Sequence, residues 1–196
     1  FYVIQEFNKV DAYLDPDKMT STDMGYVFEE LVRKFSESYN EEAGAHFTSR
    51  DIIYLMTDLL LLEDKDTLFK EHVFKTVYDQ TMGTSQMLSA MTERIHDMND
   101  TAEVATFGQE LNPETYAIAK ADTMIRGGDP ENMALGSTLT SDQFEGFTFD
   151  YCISNPPFGV DWKKDQESVK AEHELSELGR FGVGLPRVSD GQLLFN

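Results

Sequence analysis

The chain has 196 residues, 40% of them hydrophobic and 27% charged, with fourteen Phe and eight Tyr. That is material for one packed domain, or for one domain with a helical appendage, and it excludes disorder over most of the length. Sixteen Lys and Arg against thirty-six Asp and Glu give a net charge of −20, which excludes a protein that grips duplex DNA through a basic face of its own.

The longest greasy run, residues 54–62, is broken by Thr57 and Asp58, too short for a membrane span. The first seven residues lack the basic start and apolar block of a secretory leader. Cys152 is the single cysteine, so neither an intrachain disulfide nor a cysteine-based zinc site can form. A soluble cytoplasmic protein is the expectation, with no membrane partner.

Thr20 and Asp23 have the spacing of a capping box, and Val27, Phe28, Leu31 and Phe35 follow at helical intervals, predicting a helix over 24–39. Residues 41–47, with Gly44, read as a loop. A second box, Thr48 with Asp51, predicts a helix that turns Ile52, Ile53, Leu55, Met56, Leu59 and Leu60 inward. Strand and helix then alternate. A strand over 73–78 precedes a helix over 86–98 with Leu88, Met91 and Ile95 on one face. A strand over 103–110 precedes a helix opened by Asn112-Pro113 and closed by Gly127-Gly128. Short strands follow at 133–135 and 149–154. This order predicts an α/β fold, a parallel sheet flanked by helices and preceded by a helical segment (1–62), with residues 63–196 as the core domain.

Past Phe158 the pattern weakens. Residues 159–186 are charged and glycine-rich, with a helix expected only over 168–178 and another from about Val188. Loops of that length tend to be functional. The chain then stops inside an element, so truncation at the carboxyl end is expected.

The sharpest motif is Ser154-Asn155-Pro156-Pro157-Phe158, directly after a strand. Ligands of open α/β sheets bind beyond the carboxyl ends of strands. The Asn155 side-chain carbonyl and the Pro156 backbone carbonyl can accept both hydrogens of an adenine amine and pull it towards a tetrahedral nucleophile. Proline fixes φ, and Phe158 can stack on an extruded base, returning ~1–3 kcal/mol against the cost of flipping. A Pro-Pro pair also simply ends strands, so the motif alone is open.

The segment Asp79-Gln80-Thr81-Met82-Gly83-Thr84-Ser85 occupies the strand-to-helix turn where doubly wound folds place a nucleoside cofactor. Gly83 permits close backbone approach. Taken alone, the segment is better accounted for by an ordinary turn capped by Ser85. Glu110 ends the second strand, where an acid can accept from ribose hydroxyls. It follows Asp79 by 31 positions, more than the usual ~20.

Taken together and in order, 44–50, 79–85, Glu110, 155–158 and 180–190 resemble the modification (methyltransferase) subunit of type I restriction–modification systems. The resemblance implies a Rossmann-like, S-adenosylmethionine-dependent methyltransferase acting on the N6 amine of adenine in DNA. It implies cofactor contacts from Ala45, His46, Phe47, Thr48, Ser49 and Arg50, from Asp79, Thr81, Met82 and Gly83, and from Glu110, Ser137 and Asn155. Asn155, Pro156, Pro157 and Phe158 are the implied catalytic loop. It also implies a specificity subunit that reads the DNA sequence and a nuclease subunit that can join. Weak or no DNA affinity is expected of this stretch alone, and truncation at both ends is what the resemblance implies. The sequence departs from the family at Gln80 (usually proline), at Ser85 (usually glycine), at Ser49 (usually proline) and at Ser137 (often Asp or Asn).

Other readings are methylation of a different planar nitrogen, such as a glutamine amide or an RNA base, and a methyltransferase-like assembly module without turnover. The four histidines lack ligand spacing, so no metal site is expected. Cys152 reads as core, and Trp162 with Lys163-Lys164 as solvated loop.

Overall fold

The computed structural model describes residues 2–9, 14–15, 17–38 and 48–195. Its elements in chain order are α1 (Tyr2–Phe7), α2 (Ser21–Ser38), α3 (Arg50–Leu61), α4 (Lys65–Leu68), β1 (Phe74–Asp79), α5 (Gln86–Met98), β2 (Glu103–Glu110), α6 (Pro113–Ile125), β3 (Met133–Leu135), β4 (Tyr151–Cys152) and α7 (Gln166–His173), with a closing 3-10 turn at Gly191–Phe195. The expected loop at 41–47, with Ala45, His46 and Phe47, lies outside the described residues.

The four strands are all parallel, in the order β3-β2-β1-β4. The expected Rossmann-like parallel sheet is present. Chain order reverses at β1: β2 and β3 lie to one side, β4 to the other. A crevice therefore opens beyond the carboxyl ends of the strands on either side of that switch. In register, Asp79 sits level with Gly108, and Glu110 level with Leu135, so both acids end their strands at this same edge.

Alternating side chains divide the two faces of the sheet. Lys75, Val77 and Asp79 of β1 are buried, whereas Phe74, Thr76 and Tyr78 are not. On the buried face α5 packs against β1 and β2, α6 against β2 and β3, and α3 covers α5. One core results, in which Ile53 and Leu61 of α3 join Val77, Leu88, Met91, Ile95 and Tyr151. On the other face Tyr78 stacks on Phe149 at 4.6 Å between ring centroids, and Phe107 meets Phe144 edge-on at 5.8 Å. An aromatic segment between β3 and β4 thus stands where another helix would lie.

The helix starts follow the sequence closely, with one exception. At α2 the box closes as expected: Thr20 N donates to Asp23 Oδ2 at 2.8 Å, and Asp23 N donates to Thr20 Oγ1 at 3.1 Å. At α6 the Asn112 side chain accepts from Glu114 N and Thr115 N, with Pro113 at the first helical position. At α3 the box does not form. Ser49 is the N-cap and makes no side-chain cap bond, while the Thr48 hydroxyl is engaged elsewhere.

Other expectations need correction. Helix α3 buries only Ile53, Thr57 and Leu61; Ile52, Leu55 and Leu59 are more than half exposed. Strand β4 shrinks to Tyr151–Cys152, since only those two residues pair with β1, and Cys152 is exposed rather than core. The helix expected from Val188 is the short turn Gly191–Phe195. Trp162 is 3% exposed, not solvated. It anchors a second small core with Leu139, Val169, Phe181 and Leu194.

Candidate active site

A cavity of about 990 Å³ lies at the carboxyl edge of the sheet. Asp79 forms its floor at the end of β1. Asp79 is 1% exposed, and its Oδ1 accepts from Thr81 N at 2.9 Å, closing a tight turn. Its Oδ2 is buried without a hydrogen-bond partner. Burial is the main cause that pushes the carboxyl up to about 7, opposed by hydrogen bonds and reinforced by the nearby Glu110 charge.

The loop that follows is tied down at each step. Met82 N donates to Gln109 O at 3.1 Å, docking the loop on β2. The Met82 side chain lies where a Cβ on Gly108 would be, so any larger residue there would have to displace it. Gly83 has φ 56°, the left-handed region that favours glycine. Its N–H donates to Glu110 Oε2 at 3.0 Å, while Glu110 Oε1 accepts from Asn112 N at 2.7 Å. The carboxylate is fixed by two backbone donors and keeps further lone pairs for a ligand. Ser85 also has positive φ, at 68°, as an N-cap without a cap bond; the family glycine at this position has a clear physical reason.

Behind the loop sits an ion cluster. Arg50 pairs with Glu29 and, at 3.1 Å, with Glu93, and lies over the Tyr26 ring at 4.6 Å. Arg126 pairs with Glu93 at 2.7 Å and with Asp122 at 2.9 Å. Gln86, on the cavity wall, donates to Glu29 Oε1 at 2.9 Å. Arg50 therefore spends its donors on α2 and α5, and it does not line the cavity, nor does Ser49.

The Asn-Pro-Pro-Phe loop leaves β4 opposite this wall. Ile153 N donates to Tyr78 O at 3.0 Å, carrying the register one residue past the strand. The Ser154 and Thr81 hydroxyls lie 2.7 Å apart, joining the Asn-Pro-Pro-Phe loop to the glycine loop. Asn155 Nδ2 donates to Thr48 Oγ1 at 3.1 Å. Asn155, Pro157 and Thr48 line the cavity; Pro156 is half-buried outside the lining, and Phe158, between the lining residues Pro157 and Gly159, is 72% exposed.

The structure thus brings together Thr48, Asp79, Thr81, Met82, Gly83, Glu110, Ser137, Asn155 and Pro157 around one cavity. Three wall residues, Gln80, Thr138 and Trp162, were not among the expected site residues. Thr138 donates to Gln80 O at 2.6 Å, Gln80 donates to Phe195 O, and Trp162 donates through Nε1 to Arg187 O at 2.9 Å. Arg180 holds this wall in place, with Glu172 at 2.7 Å, Asp142 at 3.3 Å and Thr138 O at 2.6 Å. The resemblance over 180–190 was the one available signal for it.

The acceptor set suits a nucleoside carrying both a cation and hydroxyls. A buried, unpartnered carboxylate oxygen fits an ammonium, and a backbone-braced carboxylate fits a diol. The fold is that of the S-adenosylmethionine-dependent methyltransferases. Residues 20–188 match the N-6 DNA Methylase family, and the chain belongs to it.

The chain is 23% identical over 186 residues to the type I restriction enzyme MjaIX methylase subunit of Methanocaldococcus jannaschii, covering 94% of this chain and 31% of that protein. It is 28% identical over 168 residues to the HindI methylase subunit of Haemophilus influenzae, covering 83% and 33%. The crystal structure of the type I restriction–modification methyltransferase subunit from Streptococcus thermophilus superposes with a TM-score of 0.67 at 28% identity, over 93% of this chain and 36% of that one. A class I S-adenosylmethionine-dependent methyltransferase from Listeria monocytogenes shares the fold at 15% identity and TM-score 0.62, over 81% and 45%. The resemblance read from the motifs is borne out. The chain spans about a third of the length of the curated relatives named here.

Proposed function

We propose that this chain carries the cofactor pocket and adenine-presenting loop of a modification subunit that methylates the N6 amine of adenine in DNA. The observation that carries the reading is convergence: Asp79, Gly83 and Glu110 open onto the same cavity as Asn155. Asp79 would take the cofactor's ammonium and Glu110 its ribose hydroxyls, with Thr81, Met82 and Ser137 shaping the pocket between. S-adenosylmethionine, when bound, supplies a methyl group made electrophilic by its sulfonium. Asn155 Oδ1 and the Pro156 carbonyl accept the two amine hydrogens, which localises the nitrogen lone pair. Phe158, exposed at the mouth, is placed to stack on an extruded base.

Family membership supports DNA over a glutamine amide or an RNA base. The duplex-wide basic surface has to come from elsewhere, because this chain carries −20. A specificity subunit of the kind found in type I systems would supply it, and a nuclease subunit could join the same assembly. The test is a methylation assay on the full subunit with its specificity partner. Asn155→Ala should abolish transfer while cofactor affinity stays within about threefold. Undiminished turnover would overturn the reading.

A further inference from the structure

Asn155 is exposed on a loop, and a side chain in that position is free to rotate unless something holds it. What holds it lies far away in sequence: Thr48, 107 residues earlier, accepts from Asn155 Nδ2 through its hydroxyl at 3.1 Å. Thr48 precedes the N-cap of α3 and makes no capping bond with its own helix. Its hydroxyl is committed across the cavity, not along the chain. Both side chains line that cavity.

The bond has a chemical direction. An amide has a donor end and an acceptor end, and only the acceptor end can receive an amine hydrogen. With Nδ2 on the Thr48 hydroxyl, Oδ1 is the end left for the substrate. A hydroxyl can also donate, so what the bond fixes is the place of the Asn155 side chain, in an arrangement that leaves Oδ1 open to one amine hydrogen. Fixing the group before substrate arrives also removes the rotamer freedom that would otherwise be lost in reaching the reactive geometry.

We propose that Thr48 is a positioning residue for methyl transfer, acting through Asn155 by presenting its acceptor end to the target amine. The inference rests on the role given to Asn155 above. It assigns Thr48 a part in turnover distinct from cofactor contact. It also makes α3, which is anchored to α2 and α5 through Arg50, part of the scaffold of the catalytic loop.

The experiment compares Thr48→Val, which keeps the shape and removes the hydroxyl, with Thr48→Ser, which keeps the hydroxyl. Both are made in the full subunit assembled with its specificity partner. Thr48→Ala is read in parallel in case the valine methyl crowds the loop. The expected result is a fall in kcat of tenfold or more for Val and Ala, larger than any loss of cofactor affinity, with Ser near the parent. Unchanged kcat, or a kcat loss matched by an equal loss of cofactor affinity, would overturn the proposal. Asn155→Ala serves as the control: if it stays active, the reading of the site itself fails, independently of Thr48.

Discussion

Ser85, with φ 68°, donates its hydroxyl to Asp122 Oδ2 at 3.3 Å, in a contact between the glycine loop and α6 that is buried from solvent. A left-handed non-glycine residue costs ~1–2 kcal/mol, and the hydroxyl recovers part of that by satisfying a buried carboxylate whose pKa is raised, chiefly by burial. Arg126 holds the same carboxylate from the other side at 2.9 Å.

Two substitutions separate these effects. Ser85→Ala keeps the backbone cost and loses the hydrogen bond, whereas Ser85→Gly loses the bond but relieves the backbone. Denaturant melts should place Ser85→Ala below Ser85→Gly by ~1–2 kcal/mol. Equal stabilities would mean that the turn relaxes out of the left-handed region.

Glu110 should respond to small changes as strongly as to large ones. Its two oxygens each accept from a backbone N–H, of Gly83 and Asn112. Glu110→Gln turns one oxygen into an NH₂ that faces one of those donors, so it should spoil the pocket nearly as much as Glu110→Ala. Either should weaken S-adenosylmethionine binding by ~1–3 kcal/mol, roughly five- to 150-fold. Titration calorimetry checks it; a Gln variant with parental affinity would sink the bracing role.

The elements around the cofactor side were legible because their signals are local. Gln86–Met98 and Glu103–Glu110 carry clear periodicities, and Asn112-Pro113 a cap and a proline in sequence. The cavity residues follow from their positions at strand ends. What failed depends on distant partners. Strand β4 is short because the Asp150 carboxylate, not a backbone carbonyl, takes the Thr76 N–H at 2.8 Å. Trp162 looked solvated because its packing partners Leu139, Val169, Phe181 and Leu194 are scattered over more than fifty residues. The Thr48 box failed because the helix starts one residue later, with Ser49 as N-cap, and the Thr48 hydroxyl instead meets Asn155, 107 residues on.

Helix α3 shows the same limit in a testable way. It is apolar nearly all round, so periodicity could not select the packed face. Packing against α5 selects Ile53, Thr57 and Leu61. Leu61→Ala should cost ~2–5 kcal/mol, because that side chain is fully buried. Leu59→Ser, at a position 63% exposed, should change stability by no more than ~0.5 kcal/mol. Parallel melts of the two variants of this chain decide it. A large loss at Leu59 would mean that this face of α3 is covered in solution.

The last prediction concerns pH. Asp79 has its carboxyl pushed up to about 7 by burial, against an ordinary value of 3.8. Between those values the folded chain holds a proton on Asp79 that the unfolded chain has released. The contribution of Asp79 to stability is therefore full below about pH 4 and is lost as pH rises through 7, by about 1.4 kcal/mol for each pH unit inside that window. Asp79→Asn mimics the protonated form, so it should stabilise the chain at pH 8 relative to the parent, and the difference should shrink as the pH falls to 5. Comparing the two proteins at each pH cancels the repulsion among the other acids. The cost has a functional counterpart. A carboxylate kept at a loss in the free pocket is relieved when a cation pairs with its bare Oδ2, so a cationic cofactor should bind less tightly as pH drops below about 7 and release a proton on binding at pH 6. Asp79→Asn should remove that pH dependence along with much of the affinity. Calorimetry in two buffers of different ionisation enthalpy reads the proton directly. A parent protein that binds cofactor equally at pH 6 and pH 8, with no proton taken up or released, would show that Asp79 is not the group that meets the cation.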